Sequence, residues 1–237
     1  MYKINRLSII IASTITLIAC GGSGSSNSTT LSDEVGEATY RLTFNATWNA
    51  TDFPKGFPSN PHFSPFVGAT HNDQDFLWKT NEPSTNGIKN VAESGSTTSY
   101  KSELEAKKVE GNVGNIFQGK GTVSPGTTSF IFEVNKSHPY ISAISMIAPS
   151  PDWFVGIRDV NLHANNEWLE KQTFDLKLYD AGSDTGTTFS ADNTAGGSGI
   201  VSLLTEDSVD INSGIHLTNS KFVGTITIER TDNDIAQ

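Results

Sequence analysis

The sequence predicts an all-β protein, an antiparallel β-sandwich with one short helix and long loops. The chain of 237 residues contains 21 Gly and 9 Pro, together with many Ser, Thr and Asn residues, a composition typical of a protein with many turns. Apolar and polar residues alternate in several short segments, which is the pattern of a strand with one buried face. Because no long helical pattern separates these segments, a sandwich is the expected architecture.

The N-terminus predicts an export signal. Lys3 and Arg6 precede an apolar run that is too short to span a bilayer comfortably. The run ends in Leu-Ile-Ala-Cys-Gly at Cys20, the only cysteine, and resembles a bacterial lipoprotein signal, in which the cysteine is exposed by cleavage and acylated. We therefore expect a signal peptide over residues 1–19, a lipid-anchored Cys20 and, from Gly21 after it, the outer membrane. A plain secretory signal or anchor with an incidental cysteine is the alternative.

The rest of the chain predicts one domain on a tether. Residues 20–37 begin with a run of Gly, Ser, Asn and Thr that has little to bury. No repeat or second tether divides residues 38–230, so they are expected to form a single β domain. Residues 231–237 are expected to be a frayed tail.

The strands follow from the alternation. The clearest runs from Tyr40 to Trp48, with apolar residues at every second position. The other predicted strands are Ser129–Val134, Tyr140–Ile147, Phe154–Leu162, Trp168–Leu178 and Lys221–Glu229. A helix is predicted over Ser99–Val109, with Ser99 as a possible cap. The longest loops, 49–68 and 179–220, are expected to be functional.

Several function classes are disfavoured. The net charge of -10 opposes contact with nucleic-acid phosphates. The segment Gly114–Gly121 nearly matches a phosphate-binding loop, but Gly121 stands where a Ser or Thr is needed. The five histidines lack the spacing of a zinc site. With no serine-nucleophile signature we expect no enzyme, although a glycan hydrolase using carboxylates such as Glu167 or Asp207 stays open.

Three aspartates mark the most unusual segments of the chain. Two prolines hold Asp152 at the head of a strand, and a glycine-containing turn returns Asp184 beside Asp180. If the strand starting at Phe154 and the strand ending at Leu178 are antiparallel neighbours, the three carboxylates share one rim. Oxygen ligands without His or Cys favour Ca²⁺. The residues alone also allow these aspartates to be turn formers that cap their own backbone.

The chain also resembles the spondin N-terminal domain family of F-spondin and mindin. The segments that carry the resemblance are Pro149–Gly156, Asp180–Gly186, Trp48, Pro58, His62–Pro65, Gly68–Asn72, Trp78, Gly87, Ala92–Gly95 and Ile228–Arg230. The resemblance implies a sandwich related to calcium-dependent membrane-targeting domains, with one Ca²⁺ held by Asp152, Asp180 and Asp184. The chain lacks the cysteines that animal members have between the two aspartate segments, so no disulfide is expected.

These inferences favour a cell-surface lipoprotein whose calcium-ordered loops bind an extracellular polymer, a carbohydrate or another surface protein. The membrane is then contacted through the lipid anchor. The first alternative is a calcium-dependent lipid binder with Trp153, Phe154 or Phe57 as wedges, although core packing is the simpler role for aromatic residues at a strand start. The second alternative is the glycan hydrolase.

Overall fold

The computed structural model describes residues 36–54, 56–74, 76–204 and 222–231. Cys20, the predicted signal peptide, the tether before residue 36, Asp207 and the tail from residue 232 lie outside the described residues. Named in chain order, the elements are β1 (Glu37–Ala46), β2 (His62–Phe63), β3 (Val67–His71), α1 (Asn86–Ser94), α2 (Thr98–Val109), β4 (Val113–Gln118), β5 (Thr122–Val123), β6 (Gly126–Asn135), β7 (Tyr140–Ala148), β8 (Trp153–Asn161), β9 (His163–Ala164), β10 (Glu167–Trp168), β11 (Lys171–Asp175), β12 (Leu178–Asp180), β13 (Ser202–Leu203) and β14 (Gly224–Arg230).

The strands form the predicted antiparallel β-sandwich. One sheet has the order β11-β14-β1-β6. The second has the order β13-β12-β8-β7-β2-β5, and β3 joins it by pairing with β7 and β4. A small hairpin of β9 and β10 stands apart from both. None of the helices within the described ranges has the length and apolarity needed to cross a membrane.

The core between the sheets follows from the alternation in β1. Tyr40, Leu42 and Phe44 are fully buried, and the residues between them face outward. Tyr40 stacks on Phe132 of β6 with ring centroids 5.9 Å apart, so the first sheet presents an aromatic inner face. Burial of such side chains contributes about 1.5–3 kcal/mol each, which makes this face a principal source of stability.

The second sheet is covered on both faces, and β7 shows it most clearly. Every residue from Ile141 to Ala148 is buried. One face of β7 meets the first sheet, while Ile144 on the other packs in a second cluster with Val91 of α1 and Leu104 of α2. The helices therefore cover the outer face of this sheet, and the nearly continuous apolar sequence of β7 reflects two buried faces.

The helix predicted at Ser99–Val109 is confirmed as α2. The helix α1 was not predicted, since it is only nine residues long and its apolar positions are few. Its N-cap is Thr85, whose side-chain oxygen accepts the Ile88 N–H, and Ile88, Val91 and Ala92 form its buried stripe.

The predicted strand Trp168–Leu178 is wrong as a single element. It comprises β10, β11 and the start of β12, which lie in three different sheets. The chain crosses from the first large sheet to the second at Leu176 and Lys177. Because both sheets bury alternate residues in the same core, the alternation continues through the crossing and hides it from the sequence.

Candidate metal centre

The candidate site begins at the turn between β7 and β8. Pro149 and Pro151 lie between these strands, and neither can donate a backbone hydrogen bond. The Ser150 hydroxyl donates to Ile147 O at 2.6 Å and accepts from Trp153 N at 3.2 Å. The turn places Asp152 directly before β8 with 0% of its surface exposed.

Asp180 lies beside this turn because β12 pairs with β8. The two strands are antiparallel, with Asp180 opposite Trp153, and Ala181 N donates to Asp152 O at 3.0 Å. The antiparallel arrangement expected from the sequence is therefore present. It brings two acidic residues that are 28 positions apart in sequence (180 minus 152) to one edge of the sheet.

A tight turn then returns the chain to Asp152. Gly182 has a φ of +69°, and a Cβ there would lie 2.7 Å from Ile200 O, so glycine is required by both conformation and space. The Asp180 carboxylate accepts Gly182 N at 2.5 Å. The turn aims the next two amides at Asp152.

The Asp152 carboxylate is divided between two environments. Its Oδ2 accepts Ser183 N at 2.7 Å, Asp184 N at 3.0 Å and the Ser183 hydroxyl at 3.2 Å. Its Oδ1 is buried and, among the described residues, accepts no hydrogen bond while the neighbouring Asp180 is ionised. A buried anionic oxygen without a partner is costly, because the carboxylate has lost its hydration there.

Asp184 closes the following loop. One of its oxygens accepts Gly186 N and the other accepts Thr194 N, both at 2.7 Å. Between those residues Phe189 packs into the core, with its ring centroid 4.7 Å from Trp48 and 5.2 Å from Trp153. Asp184 thereby ties the end of the loop to its start while Phe189 anchors the middle.

The electrostatics of the site are unfavourable without a positive charge. Burial, with the neighbouring Asp152 charge, raises the pKa of Asp180 to about 6. Burial also raises the pKa of Asp152, although the amides of Ser183 and Asp184 partly oppose the rise. Across the part of the chain that the structure describes, no ion pair involves Asp152, Asp180 or Asp184. Two close carboxylates therefore lack a protein cation.

The three predicted ligands are gathered but do not form a finished cage. Among the described residues, no group of three or more His, Cys, Asp or Glu side chains converges tightly enough to hold a metal ion. Asp180 and Asp184 each accept the amide two residues ahead, the turn-forming role that the sequence left open. Since a carboxylate oxygen has two lone pairs, these bonds leave capacity for a cation.

Two contributing residues escaped the sequence analysis. Ser183 supplies an amide and a hydroxyl to Asp152, and Thr194 supplies an amide to Asp184. The position of Ser183 between two of the predicted ligands could have indicated its role. Nothing in the sequence around Thr194 indicates a role there, because its contact with Asp184 depends on how the loop closes.

The other candidates take ordinary positions. Trp153 and Phe154 are fully buried, which confirms core packing and contradicts their role as membrane wedges. Phe57 packs on Trp48 at 5.1 Å between ring centroids. Glu167 lies exposed in the small hairpin. The segment Gly114–Gly121 forms most of β4 and the turn after it, not the strand-then-helix of a phosphate-binding loop.

Comparison with known proteins places the chain in a family. The Spondin_N family model matches residues 38–214. Human Spondin-2 is 36% identical over 163 residues, covering 67% of this chain and 49% of Spondin-2. Chicken Spondin-1 is 32% identical over 167 residues, covering 67% of this chain and 21% of Spondin-1. The chain thus spans about half the length of Spondin-2 and about a fifth of Spondin-1. Since the family model covers most of the chain, this protein belongs to the spondin N-terminal domain family.

Proposed function

We propose that this protein is an exported adhesion or ligand-binding module. Ca²⁺ would order its loops around Asp152, Asp180 and Asp184. The proposal is carried by the buried Oδ1 of Asp152, which lies beside Asp180 and accepts no hydrogen bond from the described residues while Asp180 is ionised. A divalent cation would neutralise both carboxylates and give the orphaned oxygen a partner. Hard oxygen donors without sulfur or imidazole suit Ca²⁺, which tolerates irregular coordination and completes its shell with carbonyls and water.

Asp152, Asp180 and Asp184 would hold the ion by closing on it from the looser arrangement described above. Bound there, Ca²⁺ would supply positive charge and no reaction chemistry. The residues of the chain do the positioning: Ser183 orients Asp152, and Asp184 fastens the loop that Phe189 anchors. The surface prepared by these contacts would bind an extracellular polymer, a carbohydrate or a surface protein.

Attachment to the cell completes the proposal. Cys20 would carry the lipid after removal of residues 1–19, and the residues from Cys20 to the start of β1 at Glu37 would be the tether that presents the domain at the outer membrane. Membership of a family with Spondin-1 and Spondin-2 supports a binding module over an enzyme. The lipid-binding alternative is weakened because Trp153 and Phe154 are in the core.

Thermal unfolding of the purified protein in chelator and in about 10 mM Ca²⁺ tests the ion site. Extracellular calcium modules bind with Kd of about 10⁻⁴ to 10⁻³ M. For a Kd of about 10⁻⁴ M this concentration is a hundredfold excess, so the native state gains about 2.7 kcal/mol, which raises the Tm of a domain of this size by about 5–10 °C; a Kd of about 10⁻³ M gives roughly half that rise. The absence of a rise in the unmodified protein would overturn the calcium proposal.

The anchor is tested separately. Metabolic labelling with a radioactive fatty acid should mark the unmodified protein and leave Cys20→Ser unlabelled. Labelling of the variant, or none of either protein, would contradict lipidation at Cys20 without bearing on the calcium site.

A further inference from the structure

A pocket lies at the opposite end of β7 from the three aspartates, in the same sheet. It is a pocket of about 220 Å³ lined by His71, Asn72, Asp73, Gln74, Phe76, Tyr140 and Asp159. Tyr140 begins β7, whereas the aspartate site follows its last residue, Ala148. Eight residue steps of a strand separate the two by roughly 25 Å, so this pocket is independent of the calcium proposal.

His71 forms the back of the pocket. It is only 1% exposed, and its Nε2 and Nδ1 lie 2.8 Å from the Ser142 hydroxyl and from Asn72 O. A backbone carbonyl can only accept, so Nδ1 carries a proton, and Nε2 is then free to accept from Ser142 in the neutral ring. Both ring nitrogens are engaged, and the ring presents its stacked face to Tyr140 at 5.8 Å between centroids.

Asp159 is held at the mouth by its backbone. It has a φ of +51°, next to the irregularity in β7–β8 pairing between Ile141 and Ala143, and its N–H donates to Ser142 Oγ at 2.9 Å. Its carboxylate accepts no hydrogen bond among the described residues and lies 3.8 Å from His71 Nε2. The fold therefore fixes the backbone of Asp159 and leaves its charge uncommitted.

The polar groups of the pocket favour a ligand that donates. Gln74 Nε2 already donates to Asp73 Oδ1 at 2.8 Å, and Asn72 Nδ2 donates to Gly111 O at 3.3 Å. The carboxylate of Asp159 and the second oxygen of Asp73 remain as acceptors. A sugar hydroxyl is neutral and both donates and accepts, whereas an ammonium or guanidinium group only donates and carries the positive charge that two carboxylates attract.

The aromatic walls favour the same ligand. Phe76 is 40% exposed, and the Lys79 ammonium lies 4.9 Å from its ring centroid, so a ligand cation would displace Lys79 or use the rest of the ring. Tyr140, whose ring stacks on His71, is the second aromatic residue that lines the pocket. Aromatic faces attract cations, and guanidinium groups also stack on them.

We propose that the pocket formed by His71, Tyr140, Phe76, Asp73 and Asp159 binds an organic cation, the ammonium or guanidinium group of a lysine or arginine side chain on a partner protein. Asp159 pairs with the charge, Asp73 supplies the second acceptor, and the aromatic rings hold the group from the sides. The pocket would select the partner, and it is separate from the site formed by Asp152, Asp180 and Asp184.

The test uses small probes and NMR shifts of the full protein in chelator. Nα-acetylarginine methylamide and Nα-acetyllysine methylamide should produce saturable shifts at Tyr140 and His71 with Kd of about 1 mM. Nα-acetylcitrulline methylamide has nearly the same shape as the arginine probe without the charge and should produce none. Equal binding of the citrulline probe, or no saturation by either cation, would overturn the proposal.

Two variants locate the binding. Asp159→Asn should weaken both cationic probes at least about tenfold, and asparagine tolerates the same positive φ. Asp73→Asn changes an exposed loop residue and should also weaken binding, so the proposal stays testable if the first variant is unstable. Asp175→Asn removes an equal charge from an exposed position in β11 and should bind like the unmodified protein. Unchanged affinity in both pocket variants would place the binding elsewhere.

Discussion

Asp152 and Glu103 are both carboxylates that accept backbone amides, yet they are satisfied to different extents. Glu103 in α2 accepts Gly87 N at 2.7 Å with one oxygen and the Thr85 hydroxyl at 2.6 Å with the other. It thereby caps the N-terminus of α1, where a negative charge is favourable. Asp152 accepts amides only at Oδ2, and its buried Oδ1 has no hydrogen-bond donor in the part of the chain that the structure describes.

The difference separates a structural carboxylate from a candidate ligand. Each oxygen of Glu103 has a partner within the fold, so a metal ion would bring it nothing new. Asp152 has hydrogen bonds that hold it in place and an oxygen that none of them reaches, and its neighbour Asp180 adds like charge. Substitutions at these carboxylates should therefore affect calcium binding at the aspartate site and leave it unchanged at Glu103.

Replacement of Asp152 by alanine should have the largest effect. It removes the acceptor for Ser183 N and Asp184 N, and each buried amide left unpaired costs about 1–3 kcal/mol. We expect a loss of about 2 kcal/mol or more in chelator and no stabilisation by Ca²⁺. Urea unfolding with and without Ca²⁺ measures both. A variant that still gains stability from Ca²⁺ would remove Asp152 from the ligand set.

Asp180→Asn should separate ligand from structure. The asparagine oxygen can still accept Gly182 N, so the turn is kept while the negative charge beside Asp152 disappears. In chelator the variant should be as stable as the unmodified protein or more stable, yet the expected Tm rise of about 5–10 °C in Ca²⁺ should be largely lost. Asp175→Asn is the matched charge control and should keep the full rise. An undiminished rise in Asp180→Asn would contradict its role as a ligand.

The pH dependence of the calcium-free protein should reveal the crowded carboxylates. An unfolded Asp has a pKa near 3.9, whereas the folded pKa of Asp180 is about 6. The folded state therefore binds the proton more tightly. This contribution to stability is fully present below about pH 4 and is lost as pH rises through about 6.

Thermal unfolding in calcium-free buffer at pH 5 and pH 7 measures this effect. We compare the Tm at pH 5 minus the Tm at pH 7 in each protein. This difference should be more positive in the unmodified protein than in Asp180→Asn. Identical differences in the two proteins would show that Asp180 does not titrate in this range.

Glu103→Gln should have the smallest effect. Glutamine can accept Gly87 N with its oxygen and donate to Thr85 with its nitrogen, so only the charge at the helix N-terminus is lost. Such charges contribute about 0.3–1 kcal/mol. The stabilisation by Ca²⁺ should be unchanged, as measured by the same unfolding curves. A smaller stabilisation by Ca²⁺ in this variant would show that Glu103 influences the aspartate site, and would contradict its purely structural role.

The alternation of apolar and polar residues was enough to predict the sandwich and the position of its clearest strand. In β1, apolar residues at Tyr40, Leu42 and Phe44 alternate with polar ones because one face of the strand is exposed to solvent and the other is buried. This alternation does not depend on which strands lie beside β1. The helix α2 and the turn at Asp152 were also predicted, because Pro149 and Pro151 impose their effect locally. The family could be identified for the same reason, since its segments are continuous in sequence.

The contacts between those elements could not be predicted from the sequence and are seen in the folded chain. The sheet change at Leu176 was hidden because both sheets bury alternate residues in one core. The amide of Ser183 meets Asp152 only because β12 pairs with β8 and Gly182 reverses the chain, and Asp159 meets His71 only across the β7–β8 irregularity. These contacts join residues far apart in the chain. Their geometry depends on the register of strands and the closure of loops, which short-range patterns of residues do not specify.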